Sequence, residues 1–252
     1  MQADSRVSAP TAGSQWGSVR AVLFDLDGTM LDTAADITCA LSRALAEQGL
    51  PSLARNEVTE LIGRGVPALI KRVLERFGAA AEAADATQLL DRFHHHYERL
   101  HHCGEIQTRV YPGVARGLAE LHALGLKLAV VTNKPRSMAV ALLARLCLDH
   151  WIALVVGGDS GLPRKPHPQP LLRACELLGV LPAHVLMVGD SHIDVLAARA
   201  AGVAAVICVP YGYNEGVDPR TLPCDGFVET IGDLPAVLGP RADRLVSAES
   251  TT

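Results

Sequence analysis

The sequence has 252 residues and a mass of 26.7 kDa, which suits one large domain or one domain with a smaller companion. Hydrophobic residues make up 49% of the chain, so it can bury a sizeable core, and global disorder is excluded. The net charge of -4 and the pI near 6.2 exclude the strongly basic surface that nucleic-acid-binding proteins use.

The sequence carries no pattern typical of a membrane or secreted protein. The uncharged segment 200–214 is interrupted by Gly202, Pro210 and Gly212, and it is shorter than the roughly 18 residues that a membrane span needs. Residues 1–20 are polar and lack an apolar signal core. The six cysteines include no CxxC pair, so we expect free thiols in a reducing compartment. We therefore predict a cytoplasmic protein with neither a membrane nor a nucleic-acid partner.

The first predicted elements are a tail, a strand and a long insert. Residues 1–18 are rich in small and polar side chains and are expected to be flexible, and the apolar run 19–27 predicts a strand. About 100 residues without a strand pattern follow, which is far longer than an ordinary connection. Helical periodicity covers 33–50, 66–78 and 87–102 of this insert.

The rest of the chain alternates between strand and helix patterns. Short runs rich in Val, Ile and Leu, typical of strands buried on both faces of a parallel sheet, span 126–133, 151–158, 184–190 and 204–210. Helical patterns cover about 113–125, 136–148, 168–179 and 192–201. This alternation predicts an α/β fold with a doubly wound parallel sheet.

These patterns predict a core and a cap. The core comprises residues 19–32 and 106–239, the helical cap is residues 33–105, and a second tail covers 240–252. A cap inserted after the first strand would lie above the carboxyl ends of the strands, where open α/β sheets bind ligands.

Two carboxylates follow the first predicted strand, in the segment Asp25-Leu26-Asp27-Gly28-Thr29. Residues two apart in an extended segment point to the same side, and carboxylates this close repel unless a cation or a shared proton relieves them. An Asp-Gly pair also suits a plain surface turn. We favour a functional role because the pair follows a buried strand at the end where α/β active sites form.

Two further segments could bind an anion. Thr132 and Asn133 end the second core strand just before a helix, where a hydroxyl, an amide and free N–H groups form an anion cradle. Lys165 lies between prolines in a stiff loop, which suits neutralisation of a phosphate. Taken alone, the first segment is better explained by a plain helix cap, and the second by an exposed loop lysine.

A third carboxylate lies at the end of a later strand. Asp190 occupies the strand terminus itself, whereas Asp194 also fits the acidic position of a capping box that begins at Ser191. With Asp25 and Asp27, Asp190 supplies the hard oxygen donors that Mg²⁺ prefers. The combined set is typical of magnesium-assisted phosphoryl transfer.

With these residues in order, the sequence resembles the haloacid dehalogenase-like hydrolase superfamily over about residues 19–235. The resemblance rests on DLDGT (25–29), VVTNK (130–134), Lys165 before a proline, and GDSHID (189–194). It implies that Asp25 attacks phosphorus to form an aspartyl phosphate, and that Asp27 first protonates the leaving alkoxide and then activates water. Gly28 and Thr29 complete the first motif in a supporting role.

The resemblance also implies binding roles. Mg²⁺ would be held by Asp25, the backbone carbonyl of Asp27, and Asp190. Thr132 and Lys165 would bind phosphate oxygens, with help from the backbone N–H of Asn133. Asp194 would orient Lys165 or a metal-bound water.

Asp27 separates classes within the superfamily. The dehalogenases lack an acid two residues after the nucleophile because a halide leaves without a proton, whereas an alkoxide needs one. The sequence therefore predicts a phosphatase or a phosphomutase.

A narrower similarity, to bacterial phosphoglycolate phosphatases, covers 29–37, 62–70, 110–114, 160–172 and 211–216. It implies a small phosphorylated metabolite as substrate, with 2-phosphoglycolate the leading candidate, and a monomer or a homodimer. Arg64 in the cap could reach a substrate carboxylate, although an exposed loop arginine fits the same pattern. Alternatives are a phosphatase for N-acetylmuramic acid 6-phosphate or another sugar phosphate, a phosphomutase such as β-phosphoglucomutase, and a non-catalytic binding protein on the same scaffold.

The histidine-rich segment 94–102 invites a metal interpretation, but its closest same-face pairs are seven residues apart. Metal-binding pairs on helices prefer a spacing of three or four. We therefore predict a polar face of a cap helix here. Tyr211 and Tyr213, with Asn214, could line the edge of the pocket, but a turn after a strand also explains them.

Overall fold

The computed structural model describes residues 16–239. Its strands, in chain order, are β1 (Ala21–Phe24), β2 (Leu31–Asp32), β3 (Arg109–Val110), β4 (Lys127–Val131), β5 (Leu154–Val156), β6 (Val185–Gly189), β7 (Ala205–Cys208) and β8 (Gly226–Phe227). Six of them form one sheet in the order β5-β4-β1-β6-β7-β8, with every neighbouring pair parallel. The predicted parallel α/β sheet is confirmed.

Helices cover both the sheet and the site above it. The cap carries α1 (Ala34–Glu47), α2 (Arg55–Thr59), α3 (Val66–Phe77) and α4 (Ala86–His102). The core carries α5 (Val114–Ala123), α6 (Arg136–Arg145), α7 (Gln169–Leu178), α8 (His192–Ala201) and α9 (Leu234–Leu238). No helix within residues 16–239 is long and apolar enough to cross a bilayer.

Burial on both faces explains the continuous apolar strands. In β1, Val22 and Phe24 belong to the apolar cluster on one face, whereas Ala21 and Leu23 belong to the cluster on the other face. All four are fully buried, because successive side chains of a strand point to opposite sides. A strand of this kind needs apolar residues at every position, as the sequence pattern predicted.

The cap has an apolar core of its own. The amphipathic helices α1 and α4 pack against each other, and residues such as Leu41, Leu45 and Phe93 are almost completely buried between the cap helices. The short helix α2 was not predicted, since five residues give too little periodicity to detect.

The two connections between core and cap are tied together. Strand β2 leaves the core and β3 returns to it, and they pair antiparallel with Leu31 opposite Val110. The buried carboxylate of Asp36 in α1 accepts hydrogen bonds from the backbone N–H groups of Gln107, at 2.7 Å, and Thr108, at 3.0 Å. Entry to the cap and exit from it therefore lie side by side.

The segments predicted as tails lie mostly outside the described residues. Residues 16–18 are the exception, and among them the Trp16 side chain is only 7% exposed and packs on the core cluster that includes Val19. All six cysteines are free thiols, as expected.

Candidate active site

The first motif forms a tight loop directly after β1. The N–H of Asp25 donates to the carbonyl of Val188 in β6, at 2.9 Å, and the carbonyl of Leu26 then accepts from three successive N–H groups, those of Thr29, Met30 and Leu31. The side chains of Leu26, Met30 and Leu31 are fully buried and anchor the loop. The two aspartates are thereby held at the carboxyl end of the sheet.

Gly28 is required in this loop for two reasons. Its φ of 90° lies in the left-handed region, where residues with a Cβ are strained. A Cβ there would also lie 2.4 Å from Oδ2 of Asp190, which is closer than any real contact. The supporting residue Gly28 thus lets a backbone turn approach the carboxylate of a neighbouring strand.

Lys165 places one cation between two carboxylates. Its Nζ lies 2.7 Å from Oδ1 of Asp25 and 2.7 Å from Oδ1 of Asp194. Burial alone would lower the pKa of Lys165, but the charges of Asp194 and Asp25 outweigh burial, and the net pKa lies above its ordinary value. Lys165 therefore stays protonated.

The side chain of Asn133 positions the lysine loop. Its Oδ1 accepts from the backbone N–H of Lys165, and its Nδ2 donates to the carbonyl of the same residue, both at 3.0 Å. Nδ2 also donates to the carbonyl of Gly63 in the cap, at 3.0 Å. The sequence predicted that Asn133 contributes its amide or its backbone N–H to an anion site, since residue spacing cannot show which loop a side-chain amide reaches.

Asp190 is a buried carboxylate at the end of β6. Oδ1 accepts from Thr29 Oγ1 and Oδ2 from the N–H of Tyr213, both at 2.7 Å. Burial, reinforced by the charges of Asp194 and Asp25, raises its pKa to about 8. Within residues 16–239 it forms no ion pair with a lysine, an arginine or a histidine.

Three carboxylates converge at this point. One oxygen each of Asp25, Asp190 and Asp194 lies within 4.8 Å of the others, and all three residues are buried. Burial, partly offset by Lys165, also raises the pKa of Asp25 to about 6. A hard-oxygen cluster with more negative charge than Lys165 neutralises fits a divalent cation. Asp194, predicted only to orient Lys165 or a water, belongs to this cluster.

The carboxylate of Asp27 faces the ammonium of Lys134, for which the sequence patterns predicted no role. Nζ of Lys134 lies 3.1 Å from Oδ1 and 3.4 Å from Oδ2 of Asp27, and the same ammonium lies 4.6 Å from the ring centroid of Tyr97 in the cap. Lys134 belongs to the quoted segment VVTNK, but a lysine before Pro135 looks like an exposed helix start. The sequence could not show that the folded chain buries Lys134 beside the ring of Tyr97.

A cavity opens between the carboxyl end of the sheet and the cap. It holds about 510 Å³ of space, part of it open to solvent. The polar lining comes from the core and the apolar lining mainly from the cap. The lining residues include Asp25, Asp27, Thr132, Asn133 and Lys134 from the core, and Ile37, Leu69, Phe93 and Tyr97 from the cap. Thr132 is 4% exposed, and its Oγ1 accepts from the N–H of Lys134 at 3.2 Å.

Arg64 lies beside this cavity and is engaged elsewhere. Its guanidinium forms a two-point ion pair with Glu215, at 2.8 and 3.0 Å, and Arg72 contacts the same carboxylate at 2.5 Å. Gly63 and Gly65 line the cavity, whereas the Arg64 side chain is not among the described lining residues. Here Arg64 bridges the cap and the core loop after β7, because Glu215 offers it a fixed carboxylate.

The two tyrosines of that loop do more than form a turn. Tyr213 Oη accepts from the N–H groups of Thr33 and Ala34, at 2.8 and 2.9 Å, and lies 3.0 Å from Asp32 Oδ1. Tyr211 Oη donates to the carbonyl of Thr29 at 2.8 Å. The loop therefore ties the first motif to the start of the cap.

The histidine-rich segment forms no metal cluster in the part of the chain that the structure describes. Instead, His96 Nε2 lies 2.8 Å from Oε1 of Glu47 on the neighbouring helix α1.

Comparison with known proteins agrees with this geometry. The chain is 47% identical over 220 residues to the plasmid phosphoglycolate phosphatase of Cupriavidus necator, covering 87% of this chain and 93% of that protein. It is 43% identical to the phosphoglycolate phosphatase of Nitrosospira multiformis, covering 84% and 92%. The crystal structure of a predicted phosphoglycolate phosphatase from Haemophilus somnus superposes with a TM-score of 0.79 at 32% identity, over 86% of this chain and 96% of that one. Residues 22–208 match the haloacid dehalogenase-like hydrolase family. With its sheet, its cap and its converging motifs, the chain belongs to this family.

Proposed function

We propose that this protein is a magnesium-dependent phosphatase that hydrolyses 2-phosphoglycolate to glycolate and phosphate through an aspartyl-phosphate intermediate. The observation that carries the proposal is that Asp25 and Asp27 line one cavity while Nζ of Lys165 lies 2.7 Å from Oδ1 of Asp25. The substrate is proposed because the relatives from Cupriavidus necator and Nitrosospira multiformis are phosphoglycolate phosphatases.

The first step transfers the phosphoryl group to the protein. An Asp25 carboxylate oxygen attacks phosphorus, the bond between phosphorus and the ester oxygen breaks, and the departing oxygen takes a proton from the Asp27 carboxyl. Lys165 and the Thr132 hydroxyl offset the charge on the phosphoryl oxygens. Glycolate leaves, and Asp25 carries the phosphoryl group.

The second step returns the protein to its starting state. The Asp27 carboxylate accepts a proton from a water molecule as that water attacks phosphorus, and the bond between phosphorus and the Asp25 oxygen breaks. Inorganic phosphate leaves, Asp25 is again a carboxylate and Asp27 is again an acid. The side chain of Asp194 keeps Lys165 oriented throughout.

Asp25 and Asp190, with the backbone carbonyl of Asp27, would hold the magnesium ion, and Asp194 lies beside them. When bound, the ion reduces the repulsion between an anionic nucleophile and an anionic phosphate ester.

A substrate panel tests this proposal. Activity on 2-phosphoglycolate that needs Mg²⁺ and exceeds activity on N-acetylmuramic acid 6-phosphate is expected. Preference for the sugar phosphate would overturn the substrate, and conversion of glucose 1-phosphate to glucose 6-phosphate would replace hydrolysis by a mutase reaction. No turnover of any phosphate ester would indicate a binding protein.

Magnesium is expected to stabilise the fold, and more strongly at pH 8 than at pH 6. The pKa of Asp25 is raised to about 6 and that of Asp190 to about 8, so the folded state holds protons that the unfolded chain releases near pH 4. Without metal, the free energy of unfolding therefore falls as the pH rises between about 4 and 8. Mg²⁺ competes with these protons for the carboxylates. Bound Mg²⁺ therefore raises the free energy of unfolding by about 3 kcal/mol only at a pH where the carboxyls are ionised.

Thermal unfolding in EDTA and in MgCl₂ at the two pH values measures this effect. The variant Asp190→Asn serves as the comparison and should lose most of the magnesium-dependent shift. An equal shift at both pH values in the unaltered protein would contradict the assignment of these carboxyls to the metal.

Asp27→Asn is expected to slow hydrolysis of 2-phosphoglycolate by about 10²- to 10⁴-fold, because the alkoxide then leaves without a proton. With p-nitrophenyl phosphate, whose leaving group needs little protonation, phosphorylation of Asp25 should persist and give a burst of nitrophenol. Equal losses on both esters would argue against acid catalysis by Asp27. Stopped-flow absorbance and steady-state assays measure the two quantities.

A further inference from the structure

We propose that Lys134 and the Tyr97 hydroxyl form the subsite that binds the carboxylate of the substrate and so select 2-phosphoglycolate. This inference rests on the proposed function and assigns its specificity to two residues, one from the core and one from the cap. Neither residue was singled out by the sequence patterns.

Lys134 is the cation that the cavity presents to a ligand. Its side chain is only 5% exposed, and it is the only lysine or arginine among the described residues that line the cavity. Its partner is Asp27, at 3.1 Å, with the face of the Tyr97 ring on another side. Burial alone would lower the pKa of Lys134, but Asp27 and Tyr97 together outweigh it and keep that pKa above its ordinary value, so the ammonium persists at neutral pH.

Tyr97 supplies an unused donor at the same place. Its side chain is 1% exposed and lines the cavity beside Lys134, and its hydroxyl hydrogen has no acceptor among the described residues. A buried hydroxyl hydrogen without an acceptor costs free energy, which a ligand oxygen would recover. Burial raises the pKa of Tyr97 to about 12, so the group remains a neutral O–H donor.

The distance between the ester oxygen and the carboxylate of 2-phosphoglycolate matches the position of Lys134. Its carboxylate oxygens are three bonds from the ester oxygen, which places them about 3 Å away. In the proposed mechanism Asp27 contacts that ester oxygen, and Lys134 lies 3.1 Å from Asp27. The ammonium is thus within about 6 Å of the ester oxygen, so the carboxylate can bridge the gap with one hydrogen bond.

This arrangement also couples binding of the substrate carboxylate to acid catalysis by Asp27. A substrate carboxylate that engages Lys134 replaces Asp27 as its partner and frees the Asp27 side chain to turn toward the leaving oxygen. A phosphate ester that lacks the carboxylate leaves the Lys134–Asp27 ion pair in place. Selectivity then arises from charge pairing in a largely desolvated site, where such contacts are strong.

The test compares 2-phosphoglycolate with ethyl phosphate, which has the same ester linkage and no carboxylate. The measured quantity is the ratio of kcat/KM for the two esters, so general damage to catalysis cancels. Lys134→Met is expected to lower the ratio by about 100-fold, and Tyr97→Phe by about 5-fold. Lys71→Met, which alters an exposed lysine on α3 with a 77% exposed side chain, is the matched control and should leave the ratio unchanged.

The outcomes separate the two proposals. If the unaltered protein shows no preference for 2-phosphoglycolate over ethyl phosphate, the proposed function is overturned. If that preference exists but both variants change the ratio by less than about twofold, the subsite is overturned and Lys134 only supports Asp27. Tyr97→Phe removes a single oxygen, so it decides the matter if Lys134→Met does not fold.

Discussion

Asp25→Asn is expected to reduce turnover of 2-phosphoglycolate by at least about 10⁴-fold while the fold persists, because an amide oxygen cannot replace the carboxylate as nucleophile. Asparagine is nearly isosteric, and Lys165 keeps its second partner Asp194 at 2.7 Å, so the loop after β1 should stay in place. Steady-state assays give the loss, and circular dichroism with urea unfolding checks the structure.

Asp91→Asn is the matched control for this substitution. It makes the same chemical change at an exposed position of α4, and it should leave both turnover and stability unchanged. An Asp25→Asn protein with a rate near that of the unaltered enzyme would remove Asp25 from its proposed role.

Lys165→Met is expected to abolish turnover and to lower the free energy of unfolding by about 3–5 kcal/mol at pH 8. Methionine fills a similar volume, but it leaves the buried carboxylates of Asp25, Asp190 and Asp194 without the cation that two of them share. Removing one partner of a buried ion pair costs the full penalty of the charge that remains.

The pH dependence of this loss identifies its cause. As the pH falls from 8 toward 5, the carboxyls take up protons, because their pKa values are raised to about 6 and about 8 even with Lys165 present. The deficit should therefore shrink at lower pH, and Mg²⁺ should restore part of it at pH 8. Urea unfolding of both proteins at the two pH values measures the deficit, with Lys71→Met as the exposed control. A loss that is the same at every pH would point to packing instead of charge.

The fold was predictable where burial dictates the residue pattern. Strands such as β1 and β6 are buried on both faces, so each appears as a continuous apolar run. The two-residue strands β2, β3 and β8 carry no such pattern, because their pairing depends on neighbours that only the folded chain supplies.

The location of the candidate site was predictable for a topological reason. The strands that precede Asp25, Thr132 and Asp190 are β1, β4 and β6, which are adjacent in the sheet. Their carboxyl ends must therefore meet at one edge. The motifs identify which residues take part, and the strand order of the sheet brings those residues close together.

Side-chain partners from segments far apart along the chain could not be predicted. The contacts of Lys134 with Asp27 and Tyr97, and of Arg64 with Glu215, join segments that are far apart along the chain. Sequence spacing within a helix or a strand determines such neighbours only inside one element. For Arg64, the nearby carboxylate of Glu215 decides where the guanidinium lies.

A crystal structure of the protein with Mg²⁺ and beryllium trifluoride, a mimic of the phosphoryl group on an aspartate, tests the central claim most directly. The proposal predicts beryllium bonded to the Asp25 carboxylate, fluorides contacted by Lys165 and Thr132, and one magnesium ion shared between Asp25 and Asp190. A beryllium adduct on another residue, or a magnesium ion bound away from Asp190, would contradict it.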